Sequence, residues 1–235
     1  MTDFHSHVLP GVDDGSDSVS TSLLMLKMWH DQGISRICAT PHFVAERMTP
    51  ERFLQRRNAA YEDLRQAAVG DGPEILLGAE VRFFDGISAS EELTRLCLTG
   101  TSLLLLEMPF VKWTERMLGE VAEIRRRGII PVAAHLERYI RFNPKKTIRQ
   151  FMDLDILIQC NAEFFLERRT ERKALSLLRE ERIHFLGSDA HDLSSRAPNM
   201  RAALTLIEKK LGSSAIERLS RQEEMIGFGR EYVPV

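Results

Sequence analysis

Leu103-Leu104-Leu105-Leu106-Glu107 and Gly128-Ile129-Ile130-Pro131-Val132-Ala133-Ala134-His135 frame the stretch 103–135. Each is a short apolar run without polar alternation, as expected of a strand buried on both faces of a parallel sheet. Between them Thr114 opens a helical pattern that Gly128 ends, a hydroxyl cap at one end and a glycine at the other. The order is strand, helix, strand. Each run also finishes on a side chain able to bind a metal, Glu107 in the first and His135 in the second.

The same pattern extends in both directions. Apolar runs recur around Phe4 and at Arg36–Thr40, Ile75–Val81, Ile156–Asn161 and His184–Ser188, giving seven predicted strands with the two above. Helical patterns lie between them. One carries Leu23 and Leu26 and stops at Gly33; another starts at Thr49-Pro50; others fit Pro144–Met152, Thr170–Glu181 and Pro198–Leu211. Such alternation predicts an α/β barrel or a doubly wound sheet. No linker, repeat or charge block divides the chain, so a single domain over 1–235 is expected. A GxGxxG after the first strand and a P-loop are both absent, which removes the common nucleotide cradles.

Composition narrows the function classes. At 235 residues and 43% hydrophobic, the chain can bury a full core without disulfides. Its 32 Lys and Arg against 34 Asp and Glu give a net charge of -2, which argues against binding nucleic acid through global charge. No apolar run approaches the roughly 20 residues of a membrane helix, and the first residues lack the pattern of a signal peptide. Cys38, Cys97 and Cys160 form no CxxC and read as buried reduced thiols, so a cytoplasmic location is expected. The sixth residue after each is Val44, Leu103 or Leu166, never the arginine of a cysteine-phosphatase loop.

The candidate chemistry lies at strand ends. His5-Ser6-His7 follows the first run, with Asp13 and Asp14 in the loop beyond; His42 follows the second; Glu80 falls in the third; Asp189-Ala190-His191 closes the last. In parallel α/β folds the carboxyl ends of the strands form the active site. Alternate residues of an extended segment face the same way, so His-x-His and Asp-x-His each aim two ligands at one ion. Nitrogen and oxygen donors without thiolate suit two or three divalent ions of the Mn, Fe or Zn kind, with Glu80 or Glu107 placed to bridge. Any one of these residues alone is an ordinary polar group, but five of the seven histidines fall at this end. The other two, His30 on the first helix and His184 at the start of its strand, are assigned to structure. Arg138 and Arg196 follow His135 and His191 closely, and arginine pairs bidentately with phosphate.

Taken in order, Asp3-Phe4-His5-Ser6-His7 with Asp13-Asp14-Gly15, Ala39-Thr40-Pro41-His42, Gly78-Ala79-Glu80, Glu107-Met108-Pro109-Phe110, His135-Leu136-Glu137-Arg138-Tyr139 and Gly187-Ser188-Asp189-Ala190-His191 resemble the polymerase-and-histidinol-phosphatase (PHP) superfamily. They are most similar to its branch of bacterial capsule and exopolysaccharide tyrosine-protein phosphatases. The resemblance implies a distorted seven-stranded (β/α)7 TIM-like barrel of the PHP fold, with two or three divalent ions, manganese first and iron or zinc as alternatives. It assigns His5, His7, Glu80 and Asp189 to one ion, Glu80, Glu107 and His135 to a second, and Asp14, His42 and His191 to a third. It places Arg138 and Arg196 near substrate phosphate.

The implied reaction is hydrolysis of phosphomonoesters, above all protein phosphotyrosine. The implied partner is an autophosphorylating bacterial tyrosine kinase presenting a Tyr-rich tail, and an oligomeric state is compatible with the resemblance. A small-molecule phosphatase of the histidinol-phosphate type or a phosphodiesterase is the alternative enzyme. A non-catalytic, metal-stabilised docking module is the alternative of another class. Leu136 and Glu163-Phe164-Phe165 depart from the branch pattern and are expected to alter the substrate pocket, not the ligand set.

Overall fold

The apolar runs form short parallel strands in a computed structural model that describes residues 1–225. The strands are β1 (Thr2–Ser6), β2 (Arg36–Ala39), β3 (His42–Phe43), β4 (Glu74–Leu77), β5 (Glu80–Arg82), β6 (Leu103–Glu107), β7 (Ile130–Ala133), β8 (Leu157–Asn161) and β9 (Phe185–Gly187). They pair in the orders β1-β2-β4 and β3-β5-β6-β7-β8-β9. The sheet curls until β9 meets β1, where the Asp189 N–H donates to the His5 carbonyl at 2.8 Å and the His7 N–H to that of Ala190 at 2.9 Å. The residues 226–235 of the expected 1–235 domain lie outside the described residues.

The strand boundaries differ from expectation at two places. The predicted strand 75–81 is broken at Gly78-Ala79 into β4 and β5, and the course of β2 resumes as β3 after Thr40-Pro41. Pro41 has no N–H for a ladder. The two breaks lie side by side, with the Gly78 N–H on the Ala39 carbonyl at 2.9 Å and the Glu80 N–H on the Pro41 carbonyl at 3.1 Å. A Cβ at Gly78 would stand 2.7 Å from Leu98 Cδ2, so a side chain at this bend would have to displace Leu98.

Both sheet faces are buried, which explains the unbroken apolar runs. Phe4, Cys38, Leu76, Leu103, Leu105, Ile130, Val132 and Phe185 fill the interior, where the rings of Phe4 and Phe185 stack at 3.8 Å. Leu104, Leu106 and Ala133 point the other way, into the larger core under the helices. These helices are α1 (Val19–Asp31), α2 (Pro50–Ala67), α3 (Leu93–Leu96), α4 (Glu115–Arg126), α5 (Lys145–Met152), α6 (Glu163–Leu166), α7 (Glu171–Arg179), α8 (Met200–Leu211) and α9 (Ser213–Met225). Thr49 and Thr114 cap α2 and α4 through their side chains, as their sequences suggest. The sequence gives no warning of α9, whose Glu223 carboxylate receives the Thr2 N–H at 2.9 and 3.0 Å and anchors the start of β1. No described helix is long and apolar enough to cross a membrane.

His184 lies just before β9, away from the candidate ligands. Its Nδ1 accepts from the Ile158 N–H at 3.0 Å. Burial, with Arg182 nearby, pushes its pKa down to about 4. The folded chain therefore binds fewer protons than the unfolded chain between the ordinary value near 6.5 and about 4. Stability should be undiminished by this group above that window and fall as pH drops through it, by up to about 1.4 kcal/mol per pH unit. His184→Ala should flatten that part of the stability profile, measured by denaturant unfolding at pH 7 and pH 5, and keep metal content and activity. A folded but inactive variant would show that His184 belongs to the site.

Candidate metal centre

The strand ends bring the nine predicted ligands together at one mouth of the barrel. Glu80 is the hub. Its Oε2 lies 3.2 Å from His5 Nε2, 3.4 Å from His7 Nε2 and 2.9 Å from His42 Nδ1, and its Oε1 lies 2.8 Å from His135 Nε2. Asp189 Oδ1 is 3.3 Å from His7 Nε2 and 3.6 Å from His5 Nε2. Glu107 Oε1 is 3.8 Å from His135 Nε2. Asp14 Oδ1 stands 3.5 Å from His42 Nε2 and 3.6 Å from His191 Nε2.

Local backbone geometry decides which side chains reach this point. Glu107 continues the inward set Leu103 and Leu105 along β6, so simple alternation aims it at the mouth. His5 follows the inward Phe4 and by alternation would turn outward; a register irregularity in β1 between Asp3 and Ser6 redirects it. His135 follows the inward Ala134 in the same way, and a left-handed backbone, φ 32°, turns it back. Asp189 is also left-handed, φ 54°. Such conformations are unfavourable for residues with a Cβ and persist at sites the surrounding structure over-determines. A Cβ at Gly187 would stand 2.6 Å from that of His5 and 2.8 Å from Gln159 Nε2, so β9 needs glycine to approach β1. Glu80 and His42 open β5 and β3, whereas the sequence placed them within or beyond strand ends; the adjacent breaks put those openings at the mouth.

Three overlapping groups have ligand atoms within 4.8 Å of one another: His5, His7 and Glu80; His42, Glu80 and Glu107; His7, Asp14, His42 and His191. They share His7 and His42 more than the three sets implied by the resemblance. The electrostatics call for cations. Glu80 and Asp189 are almost wholly buried, and Glu107 nearly so. Buried charges need partners or metals. The Nε2 atoms of His5 and His7 face each other at 3.1 Å. His135 Nδ1 and His191 Nε2 are buried without a hydrogen-bond partner. Burial and the charge of Glu80 raise the pKa of Glu107. Burial opposes ionisation of Glu80, yet the charge of His5 and hydrogen bonds from His135 and His42 hold its pKa well below the ordinary carboxylate range. This donor set fits divalent ions.

Sequence places Asp13 beside Asp14 in the loop after the first strand, but the supporting roles of Asp13, Gln159 and Asn161 emerge only in the structure. Asp13 Oδ2 receives His7 Nδ1–H at 2.7 Å and the His42 N–H at 2.8 Å, leaving His7 Nε2 for the mouth. Gln159 Oε1 receives the His135 N–H at 2.7 Å and lies 3.4 Å from His5 Nδ1. Asn161 Nδ2 donates to Asp189 Oδ2 at 3.1 Å. His191 Nδ1 donates to the Asp189 carbonyl at 2.9 Å. Partners of this kind fix ring tautomers around a metal. The inward positions of Gln159 and Asn161 on β8 were the available signal.

Arg138 and Arg196 meet at the rim. Arg196 Nη2 lies 2.9 Å from Asp189 Oδ2, and Arg138 Nη2 pairs with the same oxygen. Their side chains are 38% and 36% exposed, so each keeps one side free for a ligand. Leu136, Phe164 and Phe165 are buried in the core. That corrects the expectation that Leu136 reshapes the pocket; of the second departure, Glu163 and Phe164 line a groove beside Arg138.

The family described as capsular polysaccharide synthesis, CpsB/CapC, matches residues 1–226. The tyrosine-protein phosphatase CpsB of Streptococcus pneumoniae is 31% identical over 235 residues, covering 93% of this chain and 94% of its own. The tyrosine-protein phosphatase YwqE of Bacillus subtilis (strain 168) is 30% identical over 237 residues, covering 96% and 91%. A chain from the crystal structures of YwqE from Bacillus subtilis and CpsB from Streptococcus pneumoniae, described as unique metal-dependent tyrosine phosphatases, superposes with a TM-score of 0.82 at 25% identity, covering 100% of both chains.

Proposed function

The chain belongs to the CpsB/CapC family of capsular polysaccharide synthesis, and on that premise we propose that it is a metal-dependent phosphatase acting on protein phosphotyrosine. The observation that carries this reading is the convergence on Glu80 of four histidines, beside two half-exposed arginines on Asp189. In this reading His5, His7, Glu80 and Asp189 hold one ion, Glu80, Glu107 and His135 a second, and Asp14, His42 and His191 a third, with manganese the first choice. Divalent ions held by these residues would supply charge neutralisation for phosphate oxygens and a water made nucleophilic near neutral pH.

The chain's own residues complete the chemistry. Asp13 keeps the His7 proton on Nδ1 and Gln159 steadies His5, so both rings present Nε2 to the mouth. Arg138 and Arg196 bind the nonbridging oxygens and stabilise the charge that grows on them in the transition state. The leaving group is a phenol of pKa about 10, a better leaving group than an alkyl alcohol, so little acid assistance is required. The physiological substrate in this proposal is the Tyr-rich tail of an autophosphorylating tyrosine kinase.

A phosphotyrosine peptide assay tests the reading. Turnover should require a divalent ion, disappear with a strong chelator and return with added manganese. It should also survive thiol alkylation of the native protein. Cys38, Cys97 and Cys160 are buried, and burial pushes the Cys97 thiol up to about 12 and those of Cys38 and Cys160 well above the ordinary value, where thiolate is scarce. Alkylation that stops turnover without unfolding would sink the metal mechanism. Faster turnover of histidinol phosphate than of the peptide would move the substrate class.

A further inference from the structure

The mouth opens sideways into a cleft of about 540 Å³ that begins at Asp13, Asp14, His42 and Glu107. Its outer wall carries three arginines from different elements. Arg82 ends β5 and lies 3.9 Å from Glu107 Oε2. Arg56 comes from α2 and donates to the Gly11 carbonyl at 2.6 Å. Arg47 follows β3, is exposed, and its guanidinium makes no ion pair among the described residues. Val12, Val44 and Met48 line the same space. The carboxylates here lie at the metal end. Asp13 is engaged by His7, and Asp14 and Glu107 are candidate ligands whose charge bound ions would offset. The outer wall is thus left cationic.

The other side of the mouth is of mixed charge. A groove of about 360 Å³ there is lined by Arg138 and Arg141 together with Glu137, Glu163 and Glu167. A substrate segment crossing the mouth therefore meets one wall that attracts anions and one where arginines and carboxylates offset each other. We propose that Arg47, Arg56 and Arg82 form a subsite for an oxyanion carried by the substrate chain next to the phosphotyrosine, with Val12, Val44 and Met48 packing beside the aromatic ring. This rests on the phosphotyrosine reading and adds selectivity for acidic segments to it. The oxyanion is a neighbouring carboxylate or a second phosphate, since both offer the arginine fork the same acceptor chemistry.

The test uses the manganese-loaded full chain and four peptides of equal length. One has neutral flanks, one has glutamates before the phosphotyrosine, one has glutamates after it, and one carries a second phosphotyrosine. At low salt kcat/KM for at least one acidic peptide should exceed that for the neutral peptide about fivefold, chiefly through KM, as a few exposed ion pairs supply. The advantage should shrink in about 0.5 M salt. Arg47→Glu should bring the acidic-to-neutral ratio to one or below, and Arg47→Lys should retain most of it. An advantage confined to the second phosphotyrosine supports the subsite and identifies phosphate as its ligand; one seen with glutamate identifies carboxylate. Equal kcat/KM on all four peptides would overturn the subsite while leaving the phosphatase reading standing. So would a ratio unchanged in both Arg47→Glu and the Arg56→Ala, Arg82→Ala double variant. No turnover of any peptide would overturn the phosphotyrosine reading itself, and the subsite with it.

Discussion

Glu80→Ala should lose bound divalent metal and at least about a hundredfold in phosphotyrosine turnover, more than replacing a residue that merely orients a ligand costs. The expectation follows from its place in the site. Glu80 is almost wholly buried and both its oxygens face histidine nitrogens, those of His5, His7 and His42 on one side and His135 on the other. In the proposed assignment it serves two ions, whereas His42 serves one. Glu80→Ala should therefore retain less metal than His42→Ala when both are purified identically and analysed for elements. Thermal unfolding of each in chelator separates loss of metal from loss of fold, and Glu80→Gln keeps the side-chain volume if the alanine variant fails to fold. Equal metal content in folded Glu80 and His42 variants would refute the bridging role.

Arg138→Ala and Arg196→Ala should each cost roughly a hundred- to thousandfold in rate, on the order of 2.7–4 kcal/mol of transition-state stabilisation, while fold and metal content persist. Both guanidinium groups meet at Asp189 Oδ2 and remain over a third exposed, so each is anchored on one side and open on the other. Asp189 would still face His5, His7 and Asn161 after either loss, which is why metal content should hold. Arg138→Lys should recover little, because an ammonium cannot reproduce the planar two-pronged contact. A solvated surface arginine would behave differently, with stability shifted by about 0.5 kcal/mol at most and turnover unaffected. Near-normal turnover in both alanine variants would remove the phosphate clamp and leave the metal assignment intact.

The apolar runs alone were enough to determine a buried parallel sheet with chemistry at one end. Four leucines in a row, Leu103–Leu106, occur where alternate side chains fill the interior and the helix-facing core, and the next inward position is Glu107. Where alternation is regular, sequence therefore predicts direction. The caps of α2 and α4 were legible for the same local reason, because Thr49 and Thr114 act on N–H groups three residues away.

Tertiary structure decided the rest. Strict alternation would point His5 and His135 away from the mouth; an irregular register in β1 and a left-handed φ of 32° bring them in, and the residue types on either side announce neither. The division of 75–81 falls at Gly78, where Leu98 packs at the place a Cβ would stand, a contact made across the fold. Asp13 acquires its role where the loop after β1 meets the start of β3, and Gln159 and Asn161 acquire theirs where β8 lies beside β7 and β9. The pairing of Arg138 with Arg196 on one carboxylate oxygen also joins loops far apart in the chain. The residue types, their order and the periodicity of the strands are local properties that a sequence carries. The convergence of donors on a shared carboxylate depends on bends, bulges and close approaches fixed by non-local packing, so it exists only in the folded barrel.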